Sequence, residues 1–227
     1  MIKSVNDKKD LAINEATKIP LWLKLIFTIL FSVTIPSNII HYSAINLLWF
    51  CDISIITTFF GLWFESSLLI SMAALASVAT QLAWQVDYFF HLVSGKRLFG
   101  FSDYMFDANL TTYNKAVSLF HVWMPYLLLY SLRIVRYNRR ALVAQTLTGC
   151  MAILLSYMLT KDMFGPAGNL NKVYGLSDKE PQTWMEPWLW LVVVMAYCFL
   201  CIYLPMHFLF SRLFGKQKHN LLNAVSK

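Results

Sequence analysis

The chain has 227 residues, of which 58% are hydrophobic and 14% charged, with a formal net charge of +7. Soluble domains carry about 25% charged residues, so a chain this apolar cannot cover its surface with polar groups in water. Its Lys and Arg residues lie in short runs between apolar segments, which is typical of membrane topology signals. The composition therefore predicts a lipid bilayer as the surrounding medium and no nucleic acid as a partner.

Six apolar segments follow a polar tail at residues 1–19. Each approaches the ~20 residues that a helix needs to cross a hydrocarbon core of ~30 Å. The sequence therefore predicts an all-α polytopic membrane protein with a bundle of about six transmembrane helices in a domain over 20–212, before a basic tail at 213–227. The predicted spans are 20–40, 45–64, 67–92, 116–135, 141–160 and 187–211.

The connections between these spans differ in length. Glu65, Ser66 and Ser67 form the only polar break between the second and third spans, which predicts a tight antiparallel hairpin. Two other loops, 93–115 and 161–186, are long and rich in Gly, Asn and Asp. Loops of this length are uncommon in compact domains unless they form a lid or a binding surface.

The distribution of basic residues predicts the orientation. With the N-terminus in the cytoplasm, the cytoplasmic segments hold 13 of the 19 Lys and Arg residues, and the outer loops hold the other 6. Cytoplasmic loops carry the excess of Lys and Arg in membrane proteins. We therefore expect both termini to be cytoplasmic and both long loops to be external.

Ionisable residues within the apolar segments are the main functional signal, because a charged side chain is costly at membrane depth. Asp52 lies in the second span, and His41 closes the first. Asp87 and His91 lie on one face near the end of the third span, and His121 lies in the first turns of the fourth. The predicted topology places all five at or near the outer third of the bilayer.

This arrangement suggests a metal or proton-transfer site, because imidazole and carboxylate groups bind zinc and other divalent ions. Asp87, His91 and His121 are the candidate catalytic residues, with Asp87 orienting the His91 ring. The candidate metal ligands are His41, Asp52, His91 and His121. The alternative is that these side chains face the headgroups, pair with each other and serve folding.

Four polar residues of the outer loops are candidates for substrate binding. Asp103 and Asp107 would contribute carboxylates from above the site, and Asn169 and Asn171 would bind a ligand through their amides. Ordinary turn chemistry explains the same composition equally well.

Three segments resemble a family of bacterial multi-pass membrane proteins of unassigned activity: 46–53, 103–107 and 169–175. The resemblance implies the bacterial cytoplasmic (inner) membrane and brings no catalytic residues with it. The outer His and Asp set also invites comparison with the intramembrane ceramidases and the adiponectin-receptor hydrolases. This chain departs from their pattern, with six predicted spans rather than seven and no paired histidines in the last span, so their activity is not carried over.

Three functions follow as hypotheses. The first is a structural or accessory subunit of a membrane system, whose polar loops bind another membrane protein. The second is an intramembrane metal-dependent enzyme resembling a hydrolase, acting on a lipid or amphiphile at the outer His and Asp site. The third is a small-solute transporter, which would call for broken helices and a polar path through the bundle.

The orientation can be tested with reporter fusions. Fusions after residue 138 and at the C-terminus are expected to report a cytoplasmic location, because their flanking segments carry the basic excess. Fusions within 94–115 and 163–183 are expected to report an external location. A cytoplasmic signal from either long loop would contradict the orientation and the shared depth of the polar residues.

Overall fold

The computed structural model describes residues 19–160, 169–177 and 180–215. Almost all of the predicted N-terminal tail, the tail beyond residue 215 and two parts of the 161–186 loop lie outside the described residues. Within the described ranges all regular secondary structure is helical. The predicted all-α polytopic bundle is therefore confirmed.

The helices follow the predicted spans closely, with three short 3₁₀ turns and one π-helical segment between or within them. The eight α-helices of the described residues are α1 Leu21–His41, α2 Phe50–Trp63, α3 Ser67–Ser94, α4 Thr112–Ser118, α5 Phe120–Val135, α6 Ala141–Thr160, α7 Pro187–Tyr197 and α8 Leu204–Phe214. The 3₁₀ turns are Ala44–Leu48, Asp103–Phe106 and Leu170–Lys172, and the π-helical segment is Cys198–Tyr203.

Five helical segments of the described chain are long and apolar enough to cross a membrane. Their outward faces are apolar as well: α6, for example, exposes large hydrophobic side chains along its length. Such a face is stable in lipid and unstable in water. The chain is a multi-pass membrane protein. The five segments are Leu21–His41, Ser67–Ser94, Thr112–Val135, Ala141–Thr160 and Pro187–Leu213.

The second predicted span is shorter than expected. Its first residues form the turn Ala44–Leu48, in which the Ser43 side chain accepts a hydrogen bond from the Ile45 amide. Trp49 then has extended backbone angles, so α2 begins only at Phe50 and has 14 residues. At ~1.5 Å per residue this is about 21 Å, less than the ~30 Å core.

Helix α3 lies at the centre of the bundle, in contact with α2, α5, α6 and α8. Every residue from Ile70 to Val78 is buried, and most of them are small. Small side chains let neighbouring backbones approach closely, which is how helices associate in lipid. The central position of α3 therefore follows from its Ser and Ala content.

The hairpin between α2 and α3 has the predicted tight form. Glu65 has a positive φ of 50°, and the Ser66 amide donates to the Gly61 carbonyl at 2.8 Å. The Lys24 ammonium binds the Glu65 carboxylate at 2.7 Å and so joins the hairpin to the start of α1.

Contacts between helix ends define two ends of the bundle. The Asp87 end contains the last turns of α1, α3 and α6 and the starts of α2, α5 and α7. The Arg139 end contains the starts of α1, α3 and α6 and the last turns of α2, α5 and α8. Lys24 and Glu65 meet at the Arg139 end, whereas Asn38 and Asp52 meet at the Asp87 end.

Replacing Gly61 with Ala is expected to destabilise the protein by about 1–3 kcal/mol, because overpacking a tight helix contact costs this much. A Cβ at this position would lie 3.0 Å from Ile70 Cγ1 and 3.2 Å from the Ile70 amide nitrogen. Thermal melting in detergent measures the effect. Leu147→Ala, on the lipid-facing side of α6, is the control, and an equal loss in both variants would contradict close packing at Gly61.

Candidate functional site

Asp87 is the most heavily bonded of the predicted site residues. It lies near the end of α3 with 1% of its surface exposed. Its Oδ1 accepts hydrogen bonds from the amides of Phe99 at 2.6 Å and Gly100 at 3.1 Å. Its Oδ2 accepts from the amide of Ser102 at 2.8 Å and from the Ser102 hydroxyl at 2.7 Å. One carboxylate therefore holds the backbone of the loop that follows α3.

The sequence permits this loop geometry at two glycines. Gly95 ends α3 with a φ of +67°, and Gly100 has a φ of +87°. Glycine adopts these angles without the steric cost that other residues meet. The chain can therefore turn back over the helix end and present successive amides to Asp87, and hydrogen bonds to an ionised acceptor are the strong kind that a buried carboxylate needs.

His91 does not form the expected pair with Asp87. Both Asp87 oxygens point to the loop, and the His91 Nδ1 is buried without a hydrogen-bond partner among the described residues. The His91 ring instead stacks on Phe106, with ring centroids 3.8 Å apart. In this structure His91 is a packing residue whose Nδ1 forms no hydrogen bond with the described residues.

His121 lies on a different helix and is held by its own contacts. Its Nδ1 is 2.8 Å from the Ser118 carbonyl oxygen. A carbonyl can only accept, so Nδ1 carries a proton. The imidazole stacks on Trp84, with ring centroids 4.8 Å apart, and the side-chain Nε2 of Gln85 donates to the His121 carbonyl at 2.9 Å.

A continuous run of aromatic rings separates the two histidines. Trp84 stacks on Tyr88 at 5.0 Å, and Tyr88 contacts Phe106 at 5.6 Å. His121 lies at one end of this run and His91 at the other. The rings fill the space between α3, α5 and the 3₁₀ turn Asp103–Phe106, so the two imidazoles do not share a site.

The other two predicted ligands lie apart. Asp52 is buried, and its Oδ1 accepts a hydrogen bond from the Asn38 side chain at 2.7 Å, which joins α2 to α1. His41 is exposed at the end of α1, with its ring 6.0 Å from that of Tyr113. Within the ranges that the structure describes, no three His, Cys, Asp or Glu side chains are placed to hold a metal ion. The predicted ligand set is not assembled there.

The predicted substrate-binding carboxylates have local partners. Asp103 Oδ2 forms an ion pair with Arg97 Nε at 2.8 Å. Asp107 Oδ1 accepts hydrogen bonds from the backbone and side-chain nitrogens of Asn109 at 2.8 and 3.0 Å. The Asp107 contact is the turn chemistry that the composition also predicted, whereas the Asp103 contact is an ion pair within the loop.

Asn171 connects the second long loop to the bundle. Its Oδ1 accepts from the Phe50 amide at 3.1 Å, and its Nδ2 donates to the Leu48 carbonyl at 2.8 Å and to Ser156 Oγ at 3.2 Å. The first amides of a helix have no partner within it, so Asn171 caps α2 from a distant part of the chain. Its positive φ of 52° is one that Asn tolerates well.

Asn169 shapes the same loop from within. Its side-chain Nδ2 donates to the Gly175 and Ser177 carbonyls, both at 2.9 Å, and its Oδ1 accepts from the backbone amide of Tyr174 at 2.9 Å. Further along, the loop borders a surface cavity of about 350 Å³ lined by Glu180, Gln182, Trp184 and Trp190 among others, and none of the predicted site residues lines it.

Gln85 and Tyr104, which the sequence analysis missed, make further contacts at the Asp87 end. Gln85 links α3 to α5, because its Oε1 also accepts from the Tyr126 hydroxyl at 2.9 Å. Tyr104 packs near Trp84, and burial raises the pKa of its hydroxyl. The signal that could have revealed Gln85 is its position four residues after Gln81 on one apolar helix, since polar groups at that spacing share a face.

Comparison of the chain with protein-family models, curated proteins and solved structures gives no match. The geometry of this chain is therefore the basis for inferring its function, and the resemblance of its three segments to a bacterial family stays a prediction.

Replacing Asp87 with Asn is expected to destabilise the protein by about 2–4 kcal/mol, because hydrogen bonds to a charged group contribute about 1.5–3 kcal/mol each and one acceptor oxygen is lost. His91→Ala is expected to cost less, since its Nδ1 forms no hydrogen bond with the described residues. Thermal melting in detergent and proteolysis of residues 95–102 measure the two effects. Asp107→Asn is the exposed control. A larger loss in His91→Ala than in Asp87→Asn would contradict this assignment.

Proposed function

We propose that the protein is an accessory subunit of an assembly in the bacterial cytoplasmic membrane, and that the loop after α3 binds a second membrane protein. The observation that carries the proposal is the set of four hydrogen bonds from this loop to Asp87. They hold the loop in one conformation before any partner binds. A preorganised surface loses little conformational entropy on association.

The held loop displays apolar side chains. Leu98, Phe99 and Phe101 form what we call the Phe99–Phe101 patch. The two phenylalanines are 57% and 54% exposed, and their rings stack at 5.6 Å. The amides of Phe99 and Ser102 are both bonded to Asp87, so the backbone on either side of Phe101 is fixed. Aromatic anchors on a rigid support are typical of the energetic centre of a protein interface.

The length of α3 supports placing this patch outside the hydrocarbon core. The helix has 28 residues, and at ~1.5 Å per residue it is about 42 Å long against a core of ~30 Å. Its last turns and the loop then extend beyond the lipid tails. Interfacial belts use Trp and Tyr, which carry a polar group, whereas Phe and Leu have none. A protein partner would remove these side chains from water.

The charges near the patch fit the same role. Lys96 and Arg97 precede it, and Arg97 is paired with Asp103. An apolar centre with a charged rim is the usual anatomy of a protein–protein interface. The hydrolase and the transporter remain hypotheses from the sequence. The accessory role is preferred because Asp52, Asp87 and Asn171 each use their polar atoms to join parts of this chain.

The proposal can be tested by photocrosslinking in native membranes. A photoreactive amino acid at Phe101 is expected to give a discrete protein adduct, and the same residue at Leu147, on the lipid-facing side of α6, is expected to give none. Asp87→Asn should abolish the adduct, because it releases the loop, and Asp107→Asn should preserve it. Phe99→Ser with Phe101→Ser should shift the protein to a smaller species on native gels.

Two results would contradict the accessory role. One is a crosslinking pattern at Phe101 that matches the pattern at Leu147, which would mean that the patch contacts lipid. The other is an adduct that persists unchanged in Asp87→Asn, which would mean that the fixed loop conformation does not create the binding surface.

A further inference from the structure

The loop between α5 and α6 at the Arg139 end alternates exposed and anchored residues. Arg136, Arg139 and Arg140 are exposed, whereas Tyr137 is only 4% exposed and Asn138 is half-buried. The loop spans just 136–140 between two membrane-spanning segments. So short a connection must lie at the level of the lipid headgroups.

Tyr137 anchors the loop to α8. Its amide donates to the Phe214 carbonyl at 2.9 Å, and its hydroxyl lies 2.8 Å from His207 Nδ1. Burial raises the pKa of the Tyr137 hydroxyl. The preceding residue, Arg136, has a φ of 66°, which non-glycine residues rarely adopt.

Asn138 anchors the same loop to the central helix. Its amide donates to Ser71 Oγ at 2.9 Å and its Nδ2 to Ser67 Oγ at 3.4 Å, both on α3. Its Oδ1 accepts from the Arg140 amide at 3.0 Å. Two adjacent residues therefore fix the backbone to which the three arginines are attached.

Among the described residues, the arginines at this end have no acidic partner. Glu65 is the single acidic residue that the described chain places here, and Lys24 binds it at 2.7 Å. No arginine of this end takes part in an ion pair within the described ranges, where the pairs are Lys24–Glu65 and Arg97–Asp103. The exposed arginines of this end are Arg133, Arg136, Arg139, Arg140 and Arg212.

We propose that Arg136, Arg139 and Arg140 form a binding site for the phosphate of an anionic phospholipid headgroup. The guanidinium group presents planar paired donors that match phosphate oxygens. Basic clusters beside membrane spans attract anionic lipids, and the attraction grows with each Lys or Arg near the surface. The loop between α5 and α6, fixed by Tyr137 and Asn138, places three guanidinium groups at the depth where those phosphates lie.

A topology signal alone would need only the charges. The orientation of a membrane protein depends on the number of basic residues near the span ends and not on their fixed arrangement. Here the hydrogen bonds of Tyr137 and Asn138 hold the loop in one shape. That shape is what a site with defined geometry requires, so changing the loop without changing its charge separates the two roles.

The test uses the purified full-length protein in detergent, titrated with dioleoylphosphatidylglycerol or dioleoylphosphatidylcholine and analysed by native mass spectrometry. The wild type is expected to bind the anionic lipid in preference. Arg139→Gln with Arg140→Gln should weaken this binding about tenfold, since each basic residue contributes to the attraction. The matched control is Lys96→Gln with Lys115→Gln at the Asp87 end, which removes the same charge and should leave binding unchanged.

Two further variants keep every charge and therefore the topology signal. Arg139→Lys with Arg140→Lys should bind more weakly than the wild type but better than the Gln pair, because the paired donors are lost. Asn138→Ala should reduce the preference for the anionic lipid several-fold, because the loop is released. Melting curves confirm that each variant is folded.

The proposal is overturned by any of three results. The first is that Arg139→Gln with Arg140→Gln binds the anionic lipid like the wild type, or that Lys96→Gln with Lys115→Gln loses binding equally. Asn138→Ala binds like the wild type, which would leave bulk charge as the explanation. Inorganic phosphate competes fully at equal concentration, which would identify a site for a free anion rather than for a lipid.

Discussion

Asp87 lies buried near one end of the central helix, where its charge must be balanced without bulk water. A buried carboxylate is stable only when hydrogen bonds replace its lost hydration. The protein supplies four of them from a single loop, three from backbone amides and one from the Ser102 hydroxyl. This arrangement fixes the conformation of that loop. The exposure of Phe99 and Phe101 and the position of the turn Asp103–Phe106 follow from it.

The two ends of the bundle solve the same problem with different residues. The end of a helix exposes backbone N–H or C=O groups that have no partner within the helix and need one elsewhere. At the Asp87 end, Asn171 reaches back from the second long loop to cap α2. At the Arg139 end, Asn138 binds Ser71 and the Arg140 amide. In each case a polar side chain from a loop orders a helix end, which leaves the surrounding aromatic or basic side chains displayed in fixed positions.

Particular residues show which features of the fold the sequence predicts and which it does not. The helices were located well because apolar length is a local property, although α2 began later than predicted. The bonds of Ser43 and Asn46 favour a 3₁₀ turn there, which apolar character does not reveal. Asp87 was recognised as an anomaly, but its partner was predicted wrongly. Spacing along one helix pointed to His91, whereas the donors lie 12 to 15 residues further along the chain.

The predicted metal site illustrates the same limit. His41, Asp52, His91 and His121 do lie toward one end of the bundle, as the antiparallel helices required. The depth of a side chain in the bundle is determined by its position along its helix. The direction in which the side chain points is determined by the rotation of that helix relative to its neighbours. The rotation places Trp84, Tyr88 and Phe106 between His121 and His91.

The sequence by itself determined the multi-pass helical class, the approximate spans and the identity of the costly polar residues, because hydropathy and charge are properties of each segment alone. The tertiary structure alone decided what those polar residues bind. A carboxylate or amide takes whichever donor the folded chain brings within about 3 Å. For Asp87 and Asn171 that donor came from a loop whose path depends on the packing of the whole bundle.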